Sequence, residues 1–515
     1  MASFIIKRDG RRETFNKQKV MNAVKKAFLA VDGTLTKAGV KKIRRIGDEI
    51  NKRVIKSTYP LSVEEIQDMV EELLMDTDRK DVARAYIVYR NERSKIRSRN
   101  TNLMKNIEEK LMATNVQNQN ANLDEHSFGG RMGEARSELM KDYAINYLLS
   151  DMARSNHLNN QVYVHDLDSY AVGMHNCLTI PFDDLLAKGF NTRQTDVRPA
   201  NSVNTAFQLI AVLFQLQSLQ QFGGVSASHI DWTMVPYVRK SFRKHFNDGL
   251  KYIEEVALPT QHPAEDVSIT DESYTSHPKA YKYAMDKTYK EASQAAEGMY
   301  HNLNTLQSRS GNQLPFTSIN YGTCTLPEGR MITEVLLNGS LKGVGRLHKT
   351  PIFPCGIFQC MKGVNREEGD PNYDLYKLAL KSTAKRLYPN YANVDWSVNE
   401  GYDKNDPKTY VSTMGCRTYN GFDINGLGFL KDGRGNIAPV TIIMPTLAME
   451  ADKDVDTFME LLDFKIYQAR DMLLERYNWI CQQNPSSAKF MYENGLMAGY
   501  DGKSIESAMK HGTLV

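Results

Sequence analysis

The chain has 515 residues, of which 41% are hydrophobic and 24% charged, and its net charge is +4. This composition is typical of a folded globular protein and excludes disordered, collagenous and disulfide-dense classes. The longest apolar runs, such as 209–214, fall far short of the roughly 18 residues that a membrane-spanning helix needs. The first residues also lack the apolar core of a signal peptide. We therefore expect a cytoplasmic protein with no membrane partner.

Positive charge is concentrated at the start of the chain. Residues 1–100 carry 24 Lys and Arg against 14 Asp and Glu, whereas the remainder carries 41 against 47. A compact basic unit on a mildly acidic body favours an anionic ligand for the small unit. We expect no nucleic-acid partner, because no aromatic stacking platform or reader motif accompanies the basic residues.

The first hundred residues predict a β-hairpin followed by helices. Two apolar runs, 4–6 and 14–15, flank Asp9-Gly10, a strong tight-turn signal. Apolar residues then recur at helical spacing in four stretches, and residues 62–65 (SVEE) resemble a capping box. A polar, charged stretch at 90–99 ends this pattern. We place the domain boundary near residue 98, which gives a first domain of 1–98 and a second of 99–515.

The second domain predicts an α/β fold, because long helical patterns are interrupted by short β-rich runs at 161–165, 176–180, 356–358 and 439–444. Its size favours a closed barrel, although periodicity alone does not separate a barrel from an open sheet.

The six cysteines are scattered and include no Cys-x-x-Cys pair, which favours reduced thiols over disulfides or a bound metal. Cys416 lies between Gly415 and Arg417 in a predicted loop tip. A thiol presented in this way suits a nucleophile, a metal ligand or a radical carrier. Cys177 follows a Gly-Met-His-Asn run and is either a small buried apolar residue or a reactive thiol.

Two turns are candidates for binding phosphate. Residues 444–448 follow a β-rich run and precede a helical pattern, so backbone N–H groups near Thr446 are available to an anion. Ser202 is placed to cap another helix. In both places an ordinary helix cap explains the pattern equally well.

The N-terminal pattern resembles an ATP-cone, the nucleotide-sensing domain of ribonucleotide reductases. The resemblance covers about residues 3–95 and includes the hairpin, the helices and the closing run 81–90 (DVARAYIVYR). It implies that ATP and dATP act as allosteric effectors. It also implies that Lys7, Arg8, Glu13 and Lys19 contact them.

The rest of the chain resembles the anaerobic (class III) ribonucleoside-triphosphate reductases. The resemblance rests on six runs in order: 124–131 (DEHSFGGR), 163–168 (YVHDLD), 221–224 (QFGG), 320–323 (NYGT), 349–354 (KTPIFP) and 414–417 (MGCR). It implies a ten-stranded α/β barrel with an inward finger loop and reduction of ribonucleoside triphosphates by radical chemistry. It also implies a homodimer or effector-dependent higher oligomer, and an S-adenosylmethionine-dependent radical activase as partner.

By the same resemblance, Cys416 is the finger-loop residue that becomes a thiyl radical and abstracts the ribose 3′ hydrogen. Cys177, on the first barrel strand, is the thiol that delivers reducing equivalents at the 2′ position. Related reductases place substrate phosphate at a turn like that of Thr446.

The sequence departs from the family in two ways. Members that use formate carry Asn where this chain has Ile443, so a redoxin-type reductant is the competing expectation. Such a donor would normally use a second thiol near Cys177, and Cys324, Cys355 and Cys360 are unranked candidates.

The second departure is at the C-terminus, because the sequence does not contain the glycyl-radical loop or the four-cysteine zinc site of the family. The expectation is that a separate glycyl-radical chain supplies the radical, and that any glycyl radical and zinc belong to that segment. The alternative is a catalytically silent nucleotide-binding regulatory fragment.

Overall fold

The structure is a computed structural model that describes residues 4–7, 11–99, 102–113, 124–255, 266–309, 313–415 and 417–515. The chain divides into two compact units, Met1–Asn106 and Ile107–Val515.

The first unit contains the predicted hairpin and helices. Strand β1 pairs antiparallel with β2 and parallel with β3, so the three strands form one small sheet. The predicted turn at Asp9-Gly10 lies outside the described residues. The elements are β1 (Phe4–Ile6), β2 (Arg12–Thr14), α1 (Lys17–Asp32), α2 (Lys37–Lys56), β3 (Leu61–Ser62), α3 (Val63–Met75) and α4 (Lys80–Arg99), followed by α5 (Asn102–Met112).

Local sequence signals explain where these helices begin. The predicted capping box is confirmed: the Ser62 hydroxyl accepts from the Glu65 backbone N–H, and the Glu65 carboxylate accepts from the Ser62 backbone N–H. Val24, Phe28 and Ile50 then pack in a core that no water reaches. The apolar periodicity therefore predicts the buried faces of these helices correctly.

The second unit alternates helices and short strands. Its elements are α6 (Phe128–Tyr143), α7 (Asp151–Leu158), β4 (Val162–Val164), α8 (Leu167–Tyr170), β5 (Leu178–Thr179), α9 (Phe182–Lys188), β6 (Phe190–Asn191), β7 (Asp196–Val197), α10 (Val203–Ser218), β8 (Val225–Ala227), α11 (Ile230–Thr233), α12 (Val235–Tyr252), α13 (Glu272–Thr275), α14 (Pro278–Leu303), β9 (Thr317–Tyr321), α15 (Pro327–Lys342), β10 (Cys355–Cys360), α16 (Tyr373–Arg386), β11 (Asn390–Asn393), β12 (Asn436–Ala438), β13 (Val440–Ile442), α17 (Met444–Glu450), α18 (Val455–Cys481), α19 (Lys489–Glu493), α20 (Ile505–Met509) and β14 (Thr513–Leu514).

Five parallel strands form the central sheet of this unit, in the order β11-β10-β9-β8-β5. Each crossover between them runs through helices, as parallel pairing requires. The amino ends of all five strands therefore meet at one edge of the sheet and the carboxyl ends at the other. We call these the amino edge and the carboxyl edge.

The α/β class is confirmed, and the closed ten-stranded barrel stays a prediction, because the described residues show a five-stranded parallel sheet. The sequence reading missed β8, β9 and β11. Strand β9 shows why: Thr317, Ser318 and Asn320 are fully buried, so polar side chains fill positions where apolar ones signal a strand.

Beyond β5, the next segment of the sheet runs antiparallel to that strand. The backbone N–H groups of Cys177 and Thr179 donate to the carbonyls of Asn436 and Arg434, at 2.8 and 2.9 Å, which is an antiparallel pattern. Strand β12, which begins at Asn436, then pairs parallel with β14. Strands β12 and β14 therefore run antiparallel to the five strands of the central sheet.

Candidate active site

Cys177 lies at the amino edge, one residue before β5, and its side chain is almost fully buried. Its thiol donates to Asn176 Oδ1 at 2.7 Å, and its sulfur accepts from the Gly224 backbone N–H at 3.2 Å. The described cysteines, Cys416 being outside them, form no disulfide. The structure thus holds Cys177 as a buried, hydrogen-bonded thiol.

The neighbouring strand approaches Cys177 so closely that glycine is required. A Cβ on Gly223 would lie 2.6 Å from Cys177 Sγ and 2.5 Å from the Asn176 carbonyl oxygen. Such distances are well inside van der Waals contact. Residues 223–224 therefore pack backbone against sulfur, which explains the Gly-Gly pair in the QFGG run.

The finger segment reaches the same edge. Thr413 and Tyr419 form an isolated antiparallel bridge, and the Arg417 backbone N–H donates to the Met414 carbonyl at 2.8 Å, so the chain turns back on itself between them. Cys416, between Gly415 and Arg417 in the sequence, lies outside the described residues.

Two buried amides fix the stem of the finger to the sheet. Asn320, on β9, donates to the Thr413 carbonyl at 3.0 Å and accepts from its N–H at 3.1 Å. Gln359, on β10, donates to the Val411 carbonyl at 2.9 Å. Both side chains are inaccessible to water. The finger is therefore held by side chains that point inward from the central strands.

Charged side chains anchor the returning half of the finger. The Lys431 ammonium donates to the Asn420 carbonyl at 2.7 Å, and the Arg434 guanidinium donates to the Gly421 carbonyl at 2.9 Å. Burial lowers the pKa of Lys431 to about 7, with a further contribution from Arg434.

A single aromatic ring connects the finger tip to the surroundings of Cys177. The Phe316 ring is so close to Gly415 that a Cβ there would lie 2.8 Å from it, and the same ring packs against Gly224. Since Gly224 donates to Cys177 Sγ, the ring spans from the residue before position 416 to the immediate neighbour of Cys177. Gly415 and the hydrogen-bond partner of Cys177 therefore contact the same ring.

Buried charges surround this site. Asp166 accepts a hydrogen bond from the Asn176 side-chain amide. Arg309 donates to the Phe222 carbonyl, with Nε at 2.8 Å, and Arg476 donates to the His165 carbonyl at 2.7 Å. Burial raises the pKa of the Asp166 carboxyl, and the positive charge of Arg476 opposes this shift.

The three candidate second thiols lie in different places. Cys355 begins β10 at the amino edge, whereas Cys360 ends that strand at the carboxyl edge and Cys324 follows the carboxyl end of β9. Cys355 is buried, and burial raises the pKa of its thiol while the nearby positive charge of Arg417 lowers it. Three strand spacings separate β10 from β5, on the order of 14 Å along the sheet. Of the three, Cys355 alone shares the edge of Cys177.

Of the two candidate phosphate turns, one has a side-chain helix cap. The Ser202 hydroxyl accepts from the Thr205 backbone N–H at 3.1 Å and so caps α10. Thr446 lies in the first turn of α17, and its backbone N–H donates to the Ile443 carbonyl at 3.1 Å. Residues 444–448 follow β13 but already form the first part of α17, rather than a turn that precedes the helix. A phosphate-binding role stays a prediction for both residues.

In the first unit, the described effector candidates meet at one cavity. Lys7 and Lys19 both pair with Glu13, at 2.9 and 2.7 Å, and border a cavity of 140 Å³ floored by apolar residues of α1 and α3. The hydrogen bond from Lys19 and then that from Lys7 lower the pKa of Glu13 to about 2. Arg8 lies outside the described residues.

Among the described residues, no group of three or more His, Cys, Asp and Glu side chains is arranged to hold a metal ion. In the same part of the chain, no helix is both long and apolar enough to cross a membrane.

Sequence reasoning missed several side chains that shape the site. Asn320 lies on β9, which the sequence pattern did not predict. Gln359 lies on β10, one residue past the predicted β-rich run 356–358, and Arg309 lies in a loop far along the chain from Cys177. Asp166 belongs to the YVHDLD run at 163–168, but the sequence does not show that it is near Cys177. Its left-handed backbone (φ 55°) and its hydrogen bond from the Asn176 side chain reveal that position.

Comparison with known proteins gives the family. Residues 119–515 match the family model described as anaerobic ribonucleoside-triphosphate reductase, and residues 3–95 match the ATP cone domain. The anaerobic ribonucleoside-triphosphate reductase of Haemophilus influenzae is 30% identical over 501 residues, which cover 96% of this chain and 66% of that protein. The protein of the same name from Escherichia coli K12 is 30% identical over 485 residues, covering 92% and 62%.

The fold agrees with this match. The crystal structure of the anaerobic ribonucleotide reductase from Thermotoga maritima in complex with dATP and CTP aligns with a TM-score of 0.51 at 14% identity, covering 74% of this chain and 59% of that one. The chain spans slightly less than two thirds of the length of the curated relatives it matches. It belongs to the anaerobic ribonucleoside-triphosphate reductase family, with an ATP-cone domain at residues 3–95.

Proposed function

We propose that this chain carries the substrate-reducing and effector-sensing parts of an anaerobic ribonucleoside-triphosphate reductase. The observation that carries the proposal is the Phe316 ring, which packs against Gly415, beside Cys416, and against Gly224, which donates to Cys177 Sγ. The radical reaction of the family needs two thiols at one ribose. The contact of the Phe316 ring supports the proposal that Cys416 and Cys177 are those two thiols.

In this reaction Cys416 and Cys177 have different roles. The Cys416 sulfur, as a thiyl radical, takes a hydrogen atom from ribose C3′ and so forms an S–H bond and a carbon radical. The C2′ hydroxyl then takes a proton and leaves as water, and the Cys177 thiol gives a hydrogen atom to C2′. The proton and the remaining electron come from the dithiol reductant, which is oxidised to a disulfide. The C3′ hydrogen is finally returned, so the net reaction consumes two electrons and two protons per water released.

Burial suits this chemistry. Cys177 is 1% exposed, and the Asn320 and Gln359 anchors of the finger are fully buried. A site that excludes water protects reactive intermediates from side reactions. We propose that the ten-stranded barrel of the family surrounds it, with the antiparallel step from β5 to residues 433–436 as the junction of two half-barrels.

A redoxin-type protein is our proposed reductant. Ile443 offers no side-chain hydrogen bond to formate, whereas a formate-using relative carries Asn there. Cys355 is the preferred second thiol because it shares the amino edge with Cys177 and lies near Arg417. A direct disulfide between the two would need the chain to move, since disulfide-bonded Cα atoms lie about 4.4–6.8 Å apart.

The first unit is proposed to sense ATP and dATP. Lys7, Arg8 and Lys19 would pair with phosphates, and Glu13 would bridge Lys7 and Lys19 when no nucleotide is bound. The cationic rim over an apolar cavity supports this arrangement for an adenine nucleotide. Ser202 and Thr446 are proposed, more simply, as hydroxyl contacts to substrate phosphate at the starts of α10 and α17.

We further propose partners of the kinds that the family uses: a homodimer or effector-dependent oligomer, a radical activase, and the glycyl-radical segment with its zinc site, whether it lies on this polypeptide or a separate chain. A cytoplasmic location completes the proposal.

An anaerobic activity assay tests the function. The chain is supplied with ribonucleoside triphosphates, ATP, a radical activase, a family glycyl-radical segment and a dithiol reductant, and deoxyribonucleotide is measured by mass spectrometry. We expect product with the native chain and with Cys481→Ser, which changes a half-buried cysteine on α18, and none with Cys416→Ser. Equal product from Cys416→Ser, or none from the native chain, overturns the proposal.

A further inference from the structure

The Asn176 side chain is the immediate partner of the Cys177 thiol, and an amide can face that thiol in either of two ways. With Oδ1 toward the sulfur it accepts the S–H hydrogen, and with Nδ2 toward the sulfur it donates instead. In the structure, Oδ1 is 2.7 Å from Cys177 Sγ. The direction of the Cys177 S–H bond therefore depends on the orientation of the Asn176 amide.

The other end of the Asn176 amide settles its orientation. Its Nδ2 donates to Asp166 Oδ2. An ionised carboxylate has only acceptor oxygens, so the amide must turn its N–H toward Asp166 and its oxygen toward Cys177. Asn436 Nδ2 also points at Asn176 Oδ1, at 3.5 Å, which favours the same orientation.

Asp166 is held in place by its backbone. It adopts a left-handed conformation (φ 55°, ψ 44°), which Asp and Asn tolerate better than most residues. Its carbonyl accepts from the Ser169 hydroxyl at 2.9 Å and from the Ser169 backbone N–H at 3.0 Å. This turn directs the carboxylate to Asn176 rather than along β4.

Burial raises the pKa of the Asp166 carboxyl, and the positive charge of Arg476 opposes that shift and so favours the carboxylate. Asp168 raises this pKa further, while His165 and, least of all, Arg309 lower it. Both arginines are themselves buried. Their charges are therefore poorly screened by water.

We propose that Asp166 is a positioning residue for Cys177: through the Asn176 amide, its carboxylate forces the Cys177 thiol to direct its hydrogen to Asn176 Oδ1. The thiol hydrogen is thereby kept in one place until substrate is bound. This inference rests on the proposed role of Cys177, and its test uses a signal that does not require turnover.

The S–H stretching band reports the hydrogen bond directly, because a thiol that donates strongly absorbs at lower wavenumber. Subtracting the infrared or Raman spectrum of Cys177→Ala from that of the native chain isolates the Cys177 band. We expect one component at low wavenumber. In Asp166→Asn, position 166 offers both an acceptor and a donor, so either orientation of Asn176 is allowed and a second component at higher wavenumber appears.

Two further variants separate this effect from general disturbance. Asp166→Asn combined with Asn176→Asp places only oxygens beside the thiol, so the single low-wavenumber band returns. Asp168→Asn removes a nearby charge that is bonded to the Ser137 hydroxyl rather than to Asn176, and the band stays single. Asn is suited to the left-handed conformation at 166, so the fold is retained.

A single unshifted band in Asp166→Asn overturns the inference, and so does an equal change in Asp168→Asn. The expected change together with no reductase activity in the native chain would leave the positioning role standing and overturn the proposed function instead. When turnover is observed, we expect Asp166→Asn to lower kcat and leave KM unchanged.

Discussion

The two candidate nucleotide sites of this chain use charge in opposite ways. In the first unit, Lys7, Glu13 and Lys19 form ion pairs that water reaches, with 63% of the Lys19 side chain exposed. At the amino edge, Asp166 and Arg309 are largely buried, and each bonds to a specific neighbouring group. Exposed pairs are weak and screened by salt, whereas buried ones fix geometry because an unpaired partner is costly.

Because of this difference, we expect substitutions in the two regions to affect different properties of the protein. A sensor must exchange Lys–Glu pairs for Lys–phosphate pairs at low cost, so weak, solvated pairs suit it. A radical site must keep sulfur atoms in fixed positions, so buried, fully bonded groups suit it. Substitutions at the amino edge should therefore act on catalysis and folding, and those on the cone rim should act on effector affinity and its salt dependence.

The largest effect is expected from Cys177→Ser. Serine preserves the size of the side chain and an O–H donor to Asn176, but an O–H bond is too strong to supply hydrogen to a carbon radical. Deoxyribonucleotide formation should fall below detection, while substrate affinity, measured by equilibrium dialysis, stays within about twofold, well under 1 kcal/mol. Cys324→Ser, at the carboxyl edge, is the matched buried control for activity. Retained turnover in Cys177→Ser would mean that the amino edge is not the reducing site.

The next effect concerns the finger anchor. Asn320→Leu keeps the volume but leaves the Thr413 N–H and carbonyl without their partner. Two buried unpaired groups should lower the free energy of unfolding by about 3 kcal/mol, and activity should fall further because the finger is released.

Chemical denaturation and turnover measure these two changes. Asn338→Ala is the control, since Asn338 makes one long bond, 3.3 Å, to the Tyr289 hydroxyl. It should change the unfolding free energy by under about 1 kcal/mol. If both variants behave alike, the finger does not depend on its amide anchor.

A smaller effect is expected on the cone rim. Lys19→Ala removes one phosphate partner and should weaken ATP binding about tenfold, which corresponds to about 1.4 kcal/mol. The difference should shrink as salt is raised, because the group is exposed. Lys25→Ala, on an exposed part of α1, removes the same charge and should leave affinity within about twofold at moderate salt. Calorimetric titration with ATP distinguishes the two, and equal effects would indicate that only net charge matters.

The sequence predicts the elements of the first unit better than the central sheet of the second unit. In the first unit, apolar periodicity and the SVEE capping box predict the elements well, because its faces are either apolar and buried or polar and exposed. The five-stranded sheet was only partly predicted, since Thr317, Ser318 and Asn320 are buried polar residues whose partners are distant in sequence. Motifs pointed to Cys177 and to residues 414–417 as candidates, but the hydrogen bond between Asp166 and Asn176 depends on the folded backbone.

The smallest effect concerns the acid sensitivity of the cone. The pKa of Glu13 is lowered to about 2, chiefly by its hydrogen bonds from Lys19 and Lys7, from an ordinary value of 4.5. A lowered folded-state pKa means that the pairs stabilise the fold above pH 4.5 and that this contribution is lost as the pH falls from there toward 2. Glu13→Gln should therefore lower the melting temperature slightly at neutral pH and weaken its decline over that acid range. Calorimetry of the full chain at low and high salt measures it. Because all three side chains are solvated, high salt should bring native and variant curves together, whereas a salt-independent difference would place Glu13 among the buried, geometry-fixing charges instead.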